Sequence, residues 1–412
     1  MAISKGEQVN LSINLLLLVL AFSIPIYRKW VVICAPLILL LWFFDGRFRD
    51  KIEALRRHRL TLAIVLFILL NLLSLLWSSD PSSGLSYVAK YRYLLLVPVI
   101  ATSLRIDFRD RVVTAFLTGS TISVLLSLGL LLQLFRSTTA YYGNPSPTMS
   151  HLDFSMVLAI ATALIVNRLA HRSMPGSRLA LWIGLLLLHL TGLVVNIGRS
   201  GQAAFAATVL VMVPCYLARR SRRAAVAGLV AVLVAMISVY LVVPRFQDRV
   251  DSAISDIAQT VTEQRYRGNL GKRIAGTIVA TEVIRNHVIL GTGVGDNMTE
   301  FRELLETRYP QLKRGISWFP HLHNQYLQVA SELGLVGLAS MLFIFFALLR
   351  GPYPRLEEKD LALILCCVFL VGFLGDPFLH KNLPLVLFAV LSGLISAEGR
   401  SPFWTAGAQS DR

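Results

Sequence analysis

His323, followed at once by Asn324, stands where a long hydrophilic stretch gives way to an apolar run. An imidazole, with a reference pKa of about 6.5, can take a proton from a hydroxyl near neutral pH. The plainer reading is an interfacial histidine that only hydrogen-bonds a loop carbonyl. His321 lies two residues away and points elsewhere, so it reads as a supporting, structural group, although spacing alone leaves open which imidazole acts as base. Arg199-Ser200-Gly201 sits between two apolar runs with almost no loop to hold it. A guanidinium at that depth costs on the order of a few kcal/mol unless paired or hydrated, and its planar fork suits phosphate oxygens. The alternative is a snorkelling anchor. Arg265, Arg267, Lys272 and Arg273 form a basic cluster within the hydrophilic stretch. Arg273, at the start of a helix, could reach across a membrane surface, whereas Arg267 and Lys272 read as a solvated face.

Other chemistries lack their residues. The expected outer loops carry no DxD, no HExxH and no His–carboxylate cluster at ligand spacing, so a metal-assisted route has no evident ligands and no cofactor is expected. There is no GxSxG elbow for an acyl-enzyme. Gly291-Thr292-Gly293-Val294-Gly295 follows a helix and lacks the P-loop lysine, so it reads as a turn. Tyr142-Gly143-Asn144-Pro145 is also a turn signature.

The elements that must hold these residues are apolar. Of 412 residues, 55% are hydrophobic and 16% charged, with mean hydropathy +0.62; a soluble chain carries about 25% charged residues. The net charge of +16 comes from short basic clusters between apolar runs, the pattern of juxtamembrane anchors facing membrane lipids rather than a nucleic-acid surface. Cys34, Cys215, Cys366 and Cys367 all lie in apolar runs, which argues against a disulfide framework or thiolate metal site. The first apolar segment lacks a cleavage site and reads as a retained transmembrane helix.

Taking about 20 apolar residues per span, the sequence predicts twelve, near 10–27, 31–45, 60–77, 87–103, 112–134, 152–169, 179–197, 201–218, 224–243, 322–349, 360–375 and 383–397. Lys and Arg gather in alternate short loops, which puts both termini in the cytoplasm and the long loop outside. The expectation is an all-α polytopic membrane protein. Residues 1–243 form transmembrane helices 1–9, 244–320 a large periplasmic loop, 321–397 transmembrane helices 10–12, and 398–412 a disordered cytoplasmic tail. Within the loop, Phe246, Val250, Ile254, Ile257 and Val261 recur at helical spacing, as do Ile274, Ile278, Ile284 and Val288. Both predict amphipathic helices on the membrane surface. A third helix is predicted from Asn297, capped with Glu300 in a capping box. Beyond the loop, His323, Leu327, Ala330, Gly334 and Gly337 would share one helix face, where small residues permit close packing.

His323-Asn324, nine further residues and then Gly334-Leu335-Val336-Gly337 resemble the signature of the O-antigen ligase and polymerase superfamily of bacterial membrane proteins. Arg199-Ser200-Gly201 is similar to that family's arginine at the outer end of a mid-chain span. Arg273, followed by helix and the glycine-rich turn, resembles its loop arginine, a place for which Arg265 competes. The resemblance implies a GT-C-like fold and a metal-independent, inverting O-antigen ligase in the bacterial inner membrane. Its donor would be an undecaprenyl-diphosphate-linked glycan, and its acceptor the lipid A core oligosaccharide at the periplasmic face. Arg199 with Arg273 or Arg265 would hold the diphosphate, and His323, helped by Asn324, would deprotonate and orient the acceptor hydroxyl. An O-antigen polymerase and a protein O-oligosaccharyltransferase share these features and differ in acceptor. A transporter would place polar groups at the midplane in repeated halves, and the sequence shows neither.

Overall fold

The computed structural model describes residues 4–46, 48–137, 144–266 and 268–397. Arg267, Tyr142-Gly143 and the expected tail 398–412 lie outside the described residues. The chain is helical from end to end, with no strand among the described residues. It opens with α1 (Lys5–Ser23), α2 (Arg28–Phe44), α3 (Phe48–Arg57), α4 (Arg59–Ser74) and α5 (Pro81–Val88). A 3-10 segment, Ala89–Leu95, leads into α6 (Leu96–Ser103). Then follow α7 (Ile106–Leu131), α8 (His151–His171), α9 (Gly176–Val195), α10 (Arg199–Ala218) and α11 (Arg222–Val242).

The hydrophilic stretch folds as α12 (Pro244–Glu263), α13 (Gly268–Asn286), α14 (Asn297–Thr307) and α15 (Pro310–Ile316). The chain ends in α16 (Gln325–Leu349), α17 (Leu356–Gly372) and α18 (Asn382–Ser396). This is an all-α, multi-pass membrane protein. Seven of the twelve expected spans are helices long and apolar enough to cross a bilayer: α1, α7, α8, α9, α10, α11 and α16. The other five are shorter. α4 has 16 residues, about 24 Å at 1.5 Å per residue, while the expected span 87–103 is divided between the 3-10 segment and eight-residue α6.

Burial separates core helices from lipid-facing ones. α18 is apolar on every side and closed on every side, with Leu385, Val386, Leu387 and Phe388 fully buried, as an all-round hydrophobic helix at a bundle centre must be. α11 is equally apolar, yet Val230, Val234, Ile237 and Leu241 are exposed, the surface that lipid would cover.

The loop helices depart from the expected stripes. On α12, Ile254, Ile257 and Val261 are exposed, as a membrane-surface helix requires. α13 instead buries Ala275, Val279, Ala280 and Val283 against Met298, Phe301, Leu305, Ile316, Phe319 and Leu322. Its isoleucines stay half-buried at the edge, because small residues let α13 approach closely; a Cβ on Gly276 would meet the Phe319 ring at 3.0 Å. The capping box does not form. Asp296 is the N-cap of α14, Asn297 Nδ2 donates to Ser331 Oγ (3.0 Å), and Glu300 accepts from Asn286 (2.9 Å).

α16 is not one straight helix. Gly334 has φ +63° and ψ −160°, and a Cβ there would lie 2.2 Å from the Ile289 carbonyl carbon. The glycine-rich turn packs into this break, with Thr292 N–H donating to the Ser331 carbonyl (2.9 Å) and Gly293 N–H to that of Glu332 (3.0 Å). The single face expected from His323 to Gly337 is therefore interrupted, since only glycine readily adopts that left-handed geometry.

Candidate active site

Five chain segments meet at one end of the bundle: the starts of α8, α10 and α13, the turn before α16, and the turn between α17 and α18. Asn196 shapes the α9–α10 turn, its Oδ1 accepting from Gly198 N–H (2.6 Å) and its Nδ2 donating to Ser146 Oγ (3.0 Å). Arg199 is then the first residue of α10. Gly201 lets α10 lie against α8; a Cβ there would sit 2.1 Å from the Ser155 carbonyl oxygen. Ser200 in turn packs on Gly375, whose own Cβ would meet Ser200 Oγ at 2.2 Å.

Gly375 joins the arginines to the histidine. Arg273 Nη1 donates to the Gly375 carbonyl and, at 3.3 Å, to the His323 carbonyl. Burial, opposed by Asp376 and reinforced by Arg199, draws the Arg273 guanidinium below its ordinary value. An arginine starts so high that it stays charged. Its hydrogen bonds here go to carbonyls, so its charge is not cancelled. Arg199 makes no ion pair with the described residues.

His323 occupies a left-handed turn, φ +50°, a region where histidine is over-represented among non-glycine residues. The turn directs its ring between Phe319 (centroids 4.8 Å apart) and His321 (4.3 Å), with Nδ1 3.1 Å from Asp376 Oδ1. Asp376 is fully buried. Burial opposes its ionisation, but the hydrogen bond from His323 and the charge of Lys381 outweigh that and hold the carboxyl down at about 2. An ionised carboxylate can only accept, so Nδ1 of His323 carries a proton, and Nε2 is the ring nitrogen turned away from the carboxylate. Burial lowers the His321 imidazole to about 4. Neutral at pH 7, His321 accepts the His323 N–H on Nδ1 (3.3 Å).

Asn324 also has a structural duty. Its Oδ1 accepts from Tyr326 N–H (2.9 Å) and Leu327 N–H (3.2 Å), capping α16. Its oxygen already takes two backbone donors, so a contact with a substrate hydroxyl would fall to Nδ2; the cap itself fixes where α16 begins. Arg265 is not brought to this centre. The α12 C-cap, Gln264, turns left-handed (φ +52°), and Arg265 pairs with Glu263 (3.0 Å) on the open side of the loop helices. Of the two competing arginines, only Arg273 reaches His323.

The residues that spacing did not reveal are Asp376 and Lys381. Lys381 Nζ lies against Asp376 and 3.6 Å from Asp153 of α8. The available signal was that Asp376 is the one carboxylate between Leu361 and Asn382, in the short gap between two apolar runs. Two buried glutamines brace the segments. Gln325 Oε1 accepts from Leu379 N–H (2.8 Å) and Gln328 Oε1 from Leu322 N–H (2.9 Å). Behind them Tyr91 Oη pairs with His380 Nε2 (2.6 Å), fastening the 3-10 segment to the turn that carries Asp376.

His321, His323 and Asp376 each offer a donor atom, all within 4.8 Å of one another, an arrangement that could hold a cation. The Lys381 ammonium already occupies the carboxylate, and Arg273 flanks the group. A divalent ion would enter among fixed positive charges, so the donor set is a poor fit.

Residues 184–342 match the family model described as O-antigen ligase. The chain is also similar to an O-antigen ligase of Escherichia coli (strain K12), 22% identical over 176 residues, which covers 42% of this chain and 40% of that relative. Both matches make the chain similar to O-antigen ligases over less than half of its length. The family match takes in Arg199, Arg273 and His323 but ends before Asp376 and Lys381.

Proposed function

We propose that this protein belongs to the O-antigen ligase family and is itself a ligase, a metal-independent glycosyltransferase. It moves O-antigen glycan from undecaprenyl diphosphate to a hydroxyl of the lipid A core at the periplasmic face of the inner membrane. The observation that carries the reading is the His323–Asp376 pair lying directly beside Arg273. Asp376 holds the proton of His323 on Nδ1, so Nε2 takes the proton of the acceptor hydroxyl. The freed oxygen attacks the anomeric carbon, and the bond to the diphosphate breaks with its electron pair on the leaving oxygen. Attack from the face opposite that bond inverts the anomeric centre.

Arg273 and Arg199 stabilise the charge that grows on the diphosphate, and they are suited to it because carboxylates do not neutralise them. Lys381 keeps Asp376 ionised. Both substrates are lipid-borne and reach the site along the membrane surface, where their restricted position favours encounter.

The test uses the full chain in nanodiscs with lipid-linked glycan, lipid A core and a chelator. Glycan on the lipid A core is the expected product, and H323A lowers its rate about 10³-fold while remaining folded. Longer donor-linked chains would make the protein a polymerase. Activity lost to chelator and restored by zinc would turn the His321–His323–Asp376 trio into metal ligands, and full activity in H323A would end the base assignment.

A further inference from the structure

A second cavity, of about 810 Å3, lies among the loop helices, between the α12–α13 turn, α13 and α15. Its walls carry three cations, Arg265, Lys272 and Arg314, and no carboxylate. Tyr266, Tyr309 and Gln311 supply aromatic faces and hydrogen-bonding groups beside them. The volume falls in the range of pockets that enclose whole organic ligands, roughly 300–1,000 Å3, and exceeds what a lone phosphate fills. Arg265 pairs with Glu263 (3.0 Å), but Lys272 and Arg314 have no ion pair among the described residues, and cations left without acidic partners select an anion. Tyrosine faces and amide groups are what a sugar ring uses, since it offers C–H surface on one side and hydroxyls around its edge.

The cavity also lies next to the candidate active site. Lys272 directly precedes Arg273 on α13, so one helix serves both places. Lys272 Nζ lies 5.9 Å from the centre of the Trp318 ring, and that ring stands edge-on to His323 at 6.4 Å. Trp318 is largely exposed, which leaves an aromatic surface leading from the cationic wall to the imidazole. An oligosaccharide seated against Lys272 and Arg314 would extend along Trp318 and bring a terminal hydroxyl towards His323.

We infer that this cavity binds a phosphate-bearing oligosaccharide, the anionic part of the sugar acceptor, and so selects acceptors by their charge. The inference rests on the ligase reading for the identity of the acceptor, but the binding itself can be measured without donor.

The full chain, in nanodiscs of phosphatidylcholine, is titrated with deacylated, phosphate-bearing lipopolysaccharide core oligosaccharide. The same oligosaccharide after dephosphorylation, and glycerol phosphate as the headgroup of an anionic phospholipid, form the other arms. Binding at least tenfold weaker for the dephosphorylated sugar and for glycerol phosphate supports the inference. So does a tenfold loss in K272Q/R314Q that is recovered in K272R/R314K, the recovery showing that charge rather than folding was removed. Equal binding of the dephosphorylated sugar, equal binding to K272Q/R314Q, or absence of binding would overturn it. Glycerol phosphate competing as well as the oligosaccharide would assign the cavity to lipid headgroups instead. In transfer assays K272Q/R314Q raises the acceptor KM tenfold and leaves the donor KM in place. H323A is expected to bind the oligosaccharide as the natural chain does. If H323A transfers normally while K272Q/R314Q loses binding, the ligase mechanism fails and the cavity stands.

Discussion

Where the starts of α7 and α17 meet the ends of α8 and α10, arginines and carboxylates interlock. Arg172 lies 2.8 Å from Asp110 and 3.0 Å from Glu357, Arg109 2.5 Å from Glu358, and Arg219 2.5 Å from Asp360, which also holds His171 at 2.8 Å. At the other end of the same helices Arg273 is held by carbonyls, and Arg199 has no ion pair among the described residues. Of the carboxylates there, Asp376 is shared between His323 and Lys381, and Asp153 lies 3.6 Å from Lys381. The first end spends its charges on itself, while the second leaves guanidinium charge over for an anion. Identical residue types thus make a clamp in one place and a receptor in another, and the difference lies in where the acids are.

The sharpest way to break this contrast is D376N. Asparagine keeps the shape but removes the charge that fixes the His323 tautomer, so transfer should fall by about 10²–10³-fold, mainly in kcat, with substrate binding retained. A loss in acceptor KM alone would separate Asp376 from the base. Next in size is a pH effect. His321 has its folded pKa lowered from 6.5 to about 4. As pH falls below 6.5 the unfolded chain takes up a proton that the folded site refuses, so stability drops until about pH 4, by on the order of 3 kcal/mol. Denaturation of H321N should lack this component; matching pH curves for the two proteins would remove His321 from the buried cluster.

R273K is expected to lower transfer about 10–100-fold, because an ammonium cannot reproduce the forked donors that reach two carbonyls and a diphosphate together. Unchanged donor use would count against the receptor role. The smallest effect belongs to the opposite end. R172A should cost about 1 kcal/mol of stability, a modest figure because Arg172 and Asp110 are partly exposed. Transfer per folded molecule should stay within about twofold. A catalytic defect in R172A would erase the distinction between the two ends.

Much of this was legible because it is local. Apolar runs of span length, basic clusters between them and His323-Asn324 at the head of a run are written in consecutive residues, and the Arg199 and Arg273 candidates followed from depth and helix position. The α13 face was misread because isoleucine dominates a hydrophobic pattern, whereas the packing used the smaller Ala275 and Ala280. The use of Asn324 as a helix cap was missed because it depends on the exact turn at which α16 starts.

What the sequence determined by itself was the class of protein, its apolar helices and the presence of an imidazole and spare arginines near one another in type. Tertiary structure alone decided that Arg273 rather than Arg265 meets His323, that Asp376, 53 residues downstream, holds the His323 ring, and that Gly334 breaks α16 to receive a distant turn. Composition and periodicity are properties of neighbours along the chain. A carboxylate reaching an imidazole across two helices depends on tilts and turns that no short segment contains.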